Sequence, residues 1–246
     1  MHSKFKNFAF WLSTPNPMMV EAAHDKGLTR LVLDLEHGAF DQSQLNMFIP
    51  FCKALGFEIC AKVLAPEAMA IQQALDFGAD AVIIPHVEGV DHAREVTAHA
   101  KYPPLGNRSY AAGRIVRYDA LPAGFFQNEN NRVKCYPMVE SSAALTDVEA
   151  ILALPTVDGL FVGPSDLALS RGRSTYCFDG DDRTDIKRIA VAAEKFKKPW
   201  IMPAWTQAER QFSLENNAAW LVALNEFGVA MAGLGAGLTQ IENNHL

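Results

Sequence analysis

Lys134-Cys-Tyr-Pro-Met-Val-Glu140 and, a helix length later, Val157-Asp-Gly-Leu-Phe-Val-Gly-Pro-Ser-Asp-Leu-Ala168 are two short apolar runs, each leading into a carboxylate. Glu140 closes the first, and Asp166 follows the second across a tight Gly163-Pro164 turn. Between them, Ser141 to Leu154 carries Ala144, Val148, Ile151 and Leu152 at helical spacing on one face. A strand–helix–strand unit makes its two strands parallel. Both carboxylates then stand at strand C-terminal ends, on one side of the sheet. Two acids held there, with nothing basic in the turns themselves, suit a hard divalent cation.

Working outward, the chain alternates short apolar runs with longer helical patterns. Strands are expected at 8–12, 30–35, 58–64, 81–85, 134–140, 159–162, 200–203 and 220–224. They are rich in Val, Ile, Leu, Phe and Trp with weak alternation, as parallel strands covered on both faces should be. Helices are expected at 17–26, 42–55, 67–77, 90–100, 141–154, 183–196, 208–216 and 227–241, and Gly27, Gly56 and Gly78 fall where helices end. Eight such pairs in 246 residues predict one (β/α)8 TIM barrel, a single α/β domain spanning 1–246. A doubly wound sheet is the rival, but the first turn, Ser13-Thr-Pro-Asn-Pro17, has no phosphate-cradling glycines. Lys101 to Arg132 breaks the rhythm, and a connection of that length is expected to be functional or an interface element.

The net charge of −6, with acids and bases scattered, gives no basic stripe for nucleic acid. The four cysteines, Cys52, Cys60, Cys135 and Cys177, lie far apart without zinc spacing. They read as reduced thiols of a cytoplasmic protein. Met1 to Asn7 is polar, the apolar run at 8–12 is too short for a signal peptide, and no later run approaches a membrane span.

A second chemical cluster is Asp34-Leu-Glu-His37, set directly after Leu31-Val-Leu33. Three ionisable groups at a strand mouth are costly unless paired or used. A strand end that simply turns polar at the surface is the plainer reading. His37 is the natural general base at neutral pH and needs an orienting carboxylate. Lys62, inside Ala61-Lys-Val-Leu64, is either a clamp for an anionic substrate or a lysine whose stem packs while its ammonium meets solvent.

These clusters resemble the HpcH/HpaI aldolase family of metal-dependent pyruvate aldolases. The likeness runs through Trp11, Asp34-x-Glu-His37, Leu75-Asp76-x-Gly78, Tyr102-Pro-Pro-x-Gly-x-Arg108, Glu140 and the Gly-Pro-Ser-Asp-Leu167 motif. It implies a (β/α)8 barrel, with Glu140 and Asp166 as ligands of Mg²⁺, Mn²⁺ or Co²⁺. It implies that the backbone around Gly163, Ser165 and Asp166 holds the keto acid's carboxylate, beside Trp11. It implies His37 as proton carrier oriented by Asp76, Asp34 in support, and Lys62 at the position of an arginine that steadies the keto oxygen. It further implies a homo-oligomer, trimer or hexamer, whose terminal helix packs on a neighbour. Three positions depart from the family pattern: Lys62 for arginine, Met138 for glutamine and His86 for an apolar residue.

The expected activity is cleavage or formation of 4-hydroxy-2-oxo acids from pyruvate, or a related 2-keto acid, and an aldehyde. Related readings are a lyase or decarboxylase for citrate-like, keto-diacid or acyl-CoA substrates, a Schiff base on Lys62, and a weakened barrel that only binds keto acid or metal. Arg108 and Arg114 are expected to pair with acids across subunits, and Asp179-Gly-Asp-Asp182 to be a solvated loop near the mouth.

Overall fold

The computed structural model describes residues 4–245, so Met1–Ser3 of the polar N-terminal stretch, and Leu246, lie outside it. Eight parallel strands close into a barrel in chain order. They are β1 (Phe8–Leu12), β2 (Arg30–Asp34), β3 (Glu58–Lys62), β4 (Ala81–Ile84), β5 (Lys134–Val139), β6 (Leu160–Val162), β7 (Trp200–Pro203) and β8 (Trp220–Asn225). The helices around them are α1 (Pro17–Asp25), α2 (Gln42–Ala54), α3 (Ala68–Asp76), α4 (Val90–Ala98), α5 (Phe125–Arg132), α6 (Ser142–Thr146), α7 (Val148–Ala153), α8 (Pro164–Ser170), α9 (Gly180–Phe196), α10 (Gln207–Glu215) and α11 (Glu226–His245). No described helix is long and apolar enough to cross a membrane.

Closure of the barrel explains why the strands read as continuous apolar runs. One set of alternate side chains fills the interior: Val32, Cys60, Ile83, Tyr136, Met138, Phe161, Ile201, Trp220 and Val222, with Trp11 packed on top. The other set packs outward against the helices in a larger cluster that includes Leu31, Leu33, Ile59, Val82, Val139 and Val162. Both faces are therefore dry, and alternation fades from the sequence.

Local chemistry sets the helix starts. Asn16 accepts the Met19 N–H at the head of α1, and Asp41 and Gln44 form a capping box on α2, as Thr206 and Glu209 do on α10. The single helix expected over 141–154 is split at Asp147. That carboxylate turns away to accept the Val90 N–H at the start of α4, and the chain restarts as α7.

Two expectations on charged residues are corrected. Asp179-Gly-Asp-Asp182 is no solvated loop: α9 begins there, and buried Asp182 accepts the Cys177 N–H and pairs with Arg173 at 2.7 Å. Arg108 finds its acids inside its own chain. Its side chain is fully enclosed, 2.7 Å from Asp76, 3.6 Å from Glu129 and stacked on the Tyr102 ring. Removing such a charge from water requires this pairing. The long connection before β5 is organised by packed rings, Tyr102, Tyr110, Phe125 and Phe126, with Phe126 5.0 Å from Tyr102 and 5.3 Å from Tyr110.

Candidate active site

The C-terminal mouth of the barrel collects the charge. Val139 and Val162 are register partners, so the residues that follow them, Glu140 and Gly163, are neighbours. Glu140 is only 5% exposed, and its Oε1 accepts the His86 N–H at 2.5 Å. Burial pushes its carboxyl above the usual carboxylate range; the His86 amide and Lys62 oppose this, and the charge of Asp166 adds to it. The two acids of the opening motif therefore stand at the same mouth, near enough for the charge of one to act on the other.

Gly163 is glycine because Glu140 needs the room. A Cβ there would stand 2.7 Å from Glu140 Cβ and Oε2 and 2.9 Å from Met138 Cε. Its φ of −102° demands no glycine, so the constraint is purely one of space. Gly163→Ala is expected to weaken Mn²⁺ binding by about tenfold or more while costing about 1–3 kcal/mol of stability. Calorimetric titration alongside a thermal melt checks both numbers.

Pro164, without an N–H, opens α8, so Ser165 and Asp166 supply its first amides. Both residues are exposed at the mouth, and the Asp166 carboxylate makes no hydrogen bond or ion pair with another described residue.

The second cluster closes the other side. Asp34, at the end of β2, accepts the His37 N–H at 3.2 Å and pins the turn. Gly38 allows it, since a Cβ there would fall 2.1 Å from the Asp34 carbonyl oxygen. Lys62 Nζ lies 2.6 Å from Glu36 Oε2 and 3.5 Å from Asp34 Oδ1, with its side chain 7% exposed, and it stands 5.9 Å from the Trp11 ring centre. The ammonium is thus enclosed between carboxylates rather than in solvent. Trp11 in turn packs on Phe161, centroids 6.1 Å apart.

Glu36 is the hub. Its Oε1 lies 2.6 Å from His86 Nε2 and 3.4 Å from His37 Nε2. Burial pushes its carboxyl up, but the hydrogen bond and charge of Lys62, with His86 and His37, outweigh that and hold it below the usual range. His37 itself is open to the mouth, its side chain 67% exposed. Asp76 is not brought to His37. It ends α3, which runs back from the mouth, and it is held by Arg108 at the far end of the barrel. The acids that touch His37 are Glu36 and Asp34.

Glu36 and His86 are the site members that the sequence leaves without a role. The period-2 spacing from Asp34 to Glu36 is a signal for the first. For His86 the signal is a polar residue straight after Val82-Ile-Ile-Pro85.

Among the described residues, no three His, Cys, Asp or Glu side chains stand converged as a ready metal cluster. The donor chemistry still fits a divalent cation. Four carboxylates (Asp34, Glu36, Glu140, Asp166) gather at the mouth against one lysine, and Lys62 is already engaged by the first two. Glu140 lies near enough to Asp166 to feel its charge, and Glu140 Oε2 has no hydrogen-bond donor among the described residues. Hard cations of the Mg²⁺ type take one or two carboxylates and complete their shell with water and substrate oxygen.

Comparison with known proteins places the chain. A family model described as HpcH/HpaI aldolase/citrate lyase matches residues 7–223. A 5-keto-4-deoxy-D-glucarate aldolase from Klebsiella pneumoniae subsp. pneumoniae is 31% identical over 219 residues, 89% of this chain and 86% of that protein. A 2-dehydro-3,6-dideoxy-6-sulfogluconate aldolase from Pseudomonas putida is 34% identical over 159 residues, 64% of this chain, and the match spans 62% of that protein. Among solved structures, an HpcH/HpaI aldolase from Desulfitobacterium hafniense DCB-2 superposes with a TM-score of 0.87, at 23% identity over 98% of this chain and 94% of that one.

Proposed function

The chain belongs to the HpcH/HpaI aldolase/citrate lyase family, and from that premise we propose that it is a divalent-metal-dependent aldolase of 4-hydroxy-2-oxo acids. It splits them into pyruvate, or a related 2-keto acid, and an aldehyde, or joins the two. The observation that carries this reading is the buried Glu140 at the barrel mouth, within reach of the Asp166 charge and sharing that mouth with the Lys62–Glu36–His37 cluster. Glu140 and Asp166 would hold the cation, Mg²⁺, Mn²⁺ or Co²⁺, which would supply Lewis acidity toward the keto acid.

The other groups act on the substrate. The first amides of α8, at Ser165 and Asp166, receive the keto acid's carboxylate, and Gly163 keeps the floor clear. Trp11 walls the pocket. Lys62 faces the negative charge that grows on the keto oxygen as the C3–C4 bond breaks and its electron pair stays with C3. His37 takes the proton from the C4 hydroxyl as the C3–C4 bond breaks and the aldehyde forms, and returns a proton to C3 of the enolate. Glu36, rather than Asp76, orients its imidazole, and Asp34 fixes its backbone. A Schiff base on Lys62 is the poorer reading, since its Nζ is engaged by Glu36 and Asp34 and not free to attack a carbonyl.

We read the chain as one barrel domain that works as a homo-oligomer, trimer or hexamer. Phe227, Met231, Leu234, Leu238 and Ile241 are exposed along α11 at alternating spacings of four and three, a seam suited to a second copy of the chain. Its four free cysteines, three of them buried, suit the reducing cytoplasm.

The test is retro-aldol release of pyruvate from a panel of 4-hydroxy-2-oxo acids with Mg²⁺, Mn²⁺ or Co²⁺. Chelator should abolish turnover and excess cation should restore it. Turnover that persists after complete metal removal contradicts the reading.

A further inference from the structure

The chain leaves β8 through Asn225, the register partner of Trp11 on β1. The next residue, Glu226, therefore stands at the same end of the barrel as Glu36 and His37. It opens α11, whose residues 227–243 are all exposed, yet Glu226 itself is only 7% exposed. Its carboxylate has turned inward onto the loop that follows β1. Oε2 accepts the N–H groups of Ser13 and Thr14 at 3.1 and 3.0 Å. Oε1 accepts the Thr14 hydroxyl and, at 3.4 Å, the Asn16 side-chain amide. A buried carboxylate that takes two backbone amides and a hydroxyl from one loop fixes the path of that loop.

The loop in turn holds the turn that carries His37. The Ser13 carbonyl and the Thr14 N–H belong to one planar peptide unit, and in a trans unit they point in opposite directions. Glu226 holds the N–H side, and the carbonyl side accepts the Ala39 N–H at 2.7 Å. Gly38 lies so close that a Cβ there would stand 2.7 Å from the same Ser13 oxygen. Asp34 pins the near end of this turn through the His37 N–H, and the Ser13 carbonyl pins the far end. The path from Glu226 through the Ser13–Thr14 peptide to Ala39 thus links the ends of β8, β1 and β2. Beyond the Glu226 side chain it contains only backbone, and hydrogen bonds in series through one peptide unit strengthen each other.

We infer that Glu226 is a positioning residue for the reaction: through the Ser13–Thr14 peptide it sets where the Glu36–His37 turn sits, and so where the His37 ring meets the substrate. The inference rests on the reading of His37 as the proton carrier. Glu140 and Asp166 follow β5 and β6 and take no part in this chain of bonds. Loss of Glu226 should therefore slow proton transfer and leave binding alone. A displacement of about 1 Å at such a group costs roughly a hundredfold in rate.

Exchange of the pyruvate methyl protons with solvent deuterium is measured with Mg²⁺ in the full-length wild type, Glu226→Gln, Glu226→Asp and Glu226→Ala. Mg²⁺ binding by calorimetry and a thermal melt accompany it. Glutamine keeps the length and one acceptor oxygen for the two amides. Aspartate keeps the charge at the head of α11 but falls a methylene short, and alanine loses both. The kcat for exchange is expected to fall about tenfold to a hundredfold in Glu226→Asp and Glu226→Ala, and by less than about fivefold in Glu226→Gln. KM for pyruvate and Mg²⁺ affinity should stay within about threefold of wild type in all three. Reach rather than charge then orders the rates, which a purely stabilising role for Glu226 does not produce. The comparison of Glu226→Gln with Glu226→Asp carries the test if Glu226→Ala does not fold. An unchanged kcat in folded Glu226→Asp, or KM and Mg²⁺ affinity worsening in step with kcat, overturns the inference and leaves the proposed function standing. Absence of metal-dependent exchange in the wild type sinks the reading of the site, and the inference with it.

Discussion

Glu140→Gln is expected to lower kcat/KM for aldol cleavage by about three orders of magnitude, some 4 kcal/mol of transition-state stabilisation, and to abolish cation binding. Glutamine has nearly the shape of glutamate, and its carbonyl oxygen can still accept the His86 N–H that Oε1 takes at 2.5 Å. The substitution therefore removes one charge and little else. Its effect on stability has the opposite sign to its effect on activity. Burial raises the Glu140 carboxyl, so above the ordinary carboxylate range the folded protein bears the cost of a charge that the unfolded chain carries freely in water. The metal-free Glu140→Gln protein should melt at the same temperature as the metal-free wild type or higher. An inactive variant that also melts much lower would mean that Glu140 holds the fold and not a cation.

The second large effect concerns Lys62. Its ammonium is enclosed between Glu36 and Asp34, themselves nearly buried, at 2.6 and 3.5 Å. Lys62→Met leaves those two carboxylates without their cation, an arrangement that costs about 3–5 kcal/mol when one partner of a buried pair is removed. Equilibrium urea denaturation should show that loss, together with near-complete loss of aldol turnover. Lys62→Met combined with Glu36→Gln should be less destabilised than the sum of the two single changes, because the pair is coupled. Lys62→Arg keeps the charge and is expected to retain most of the stability, which separates charge from shape. Strict additivity in the double variant would remove the Lys62–Glu36 pair from the account.

Much of this was legible in the sequence, for identifiable reasons. A strand ending in Glu140 and another turning at Gly163-Pro164 into Asp166 can be read locally, because parallel topology fixes which end of each strand they share. The eight strands were readable because each is a short apolar run bounded by turn residues. The pairing of Lys62 with Glu36 was not, since it joins the turn after β2 to the end of β3, 26 residues apart, and depends on the Asp34–Lys62 register. His86 stood out only as a departure from the family pattern; its link to Glu36 needs a backbone angle that no pattern announces. Asp76, which the resemblance gives as the carboxylate orienting His37, ends α3 and pairs within its own chain with Arg108 instead, a partner that no sequence motif indicates. Arg108 is expected from the sequence to pair with acids across subunits, because a fully buried guanidinium cannot be foreseen without the acids of its own chain in place.

Exchange of the methyl protons of pyruvate with solvent deuterium, followed by proton NMR, tests the central claim without knowledge of the aldehyde. The account predicts rapid loss of the methyl signal with wild-type protein and Mg²⁺, Mn²⁺ or Co²⁺, and none with Glu140→Gln or after chelation. Exchange that proceeds equally well in Glu140→Gln, or in the presence of excess chelator, would contradict it.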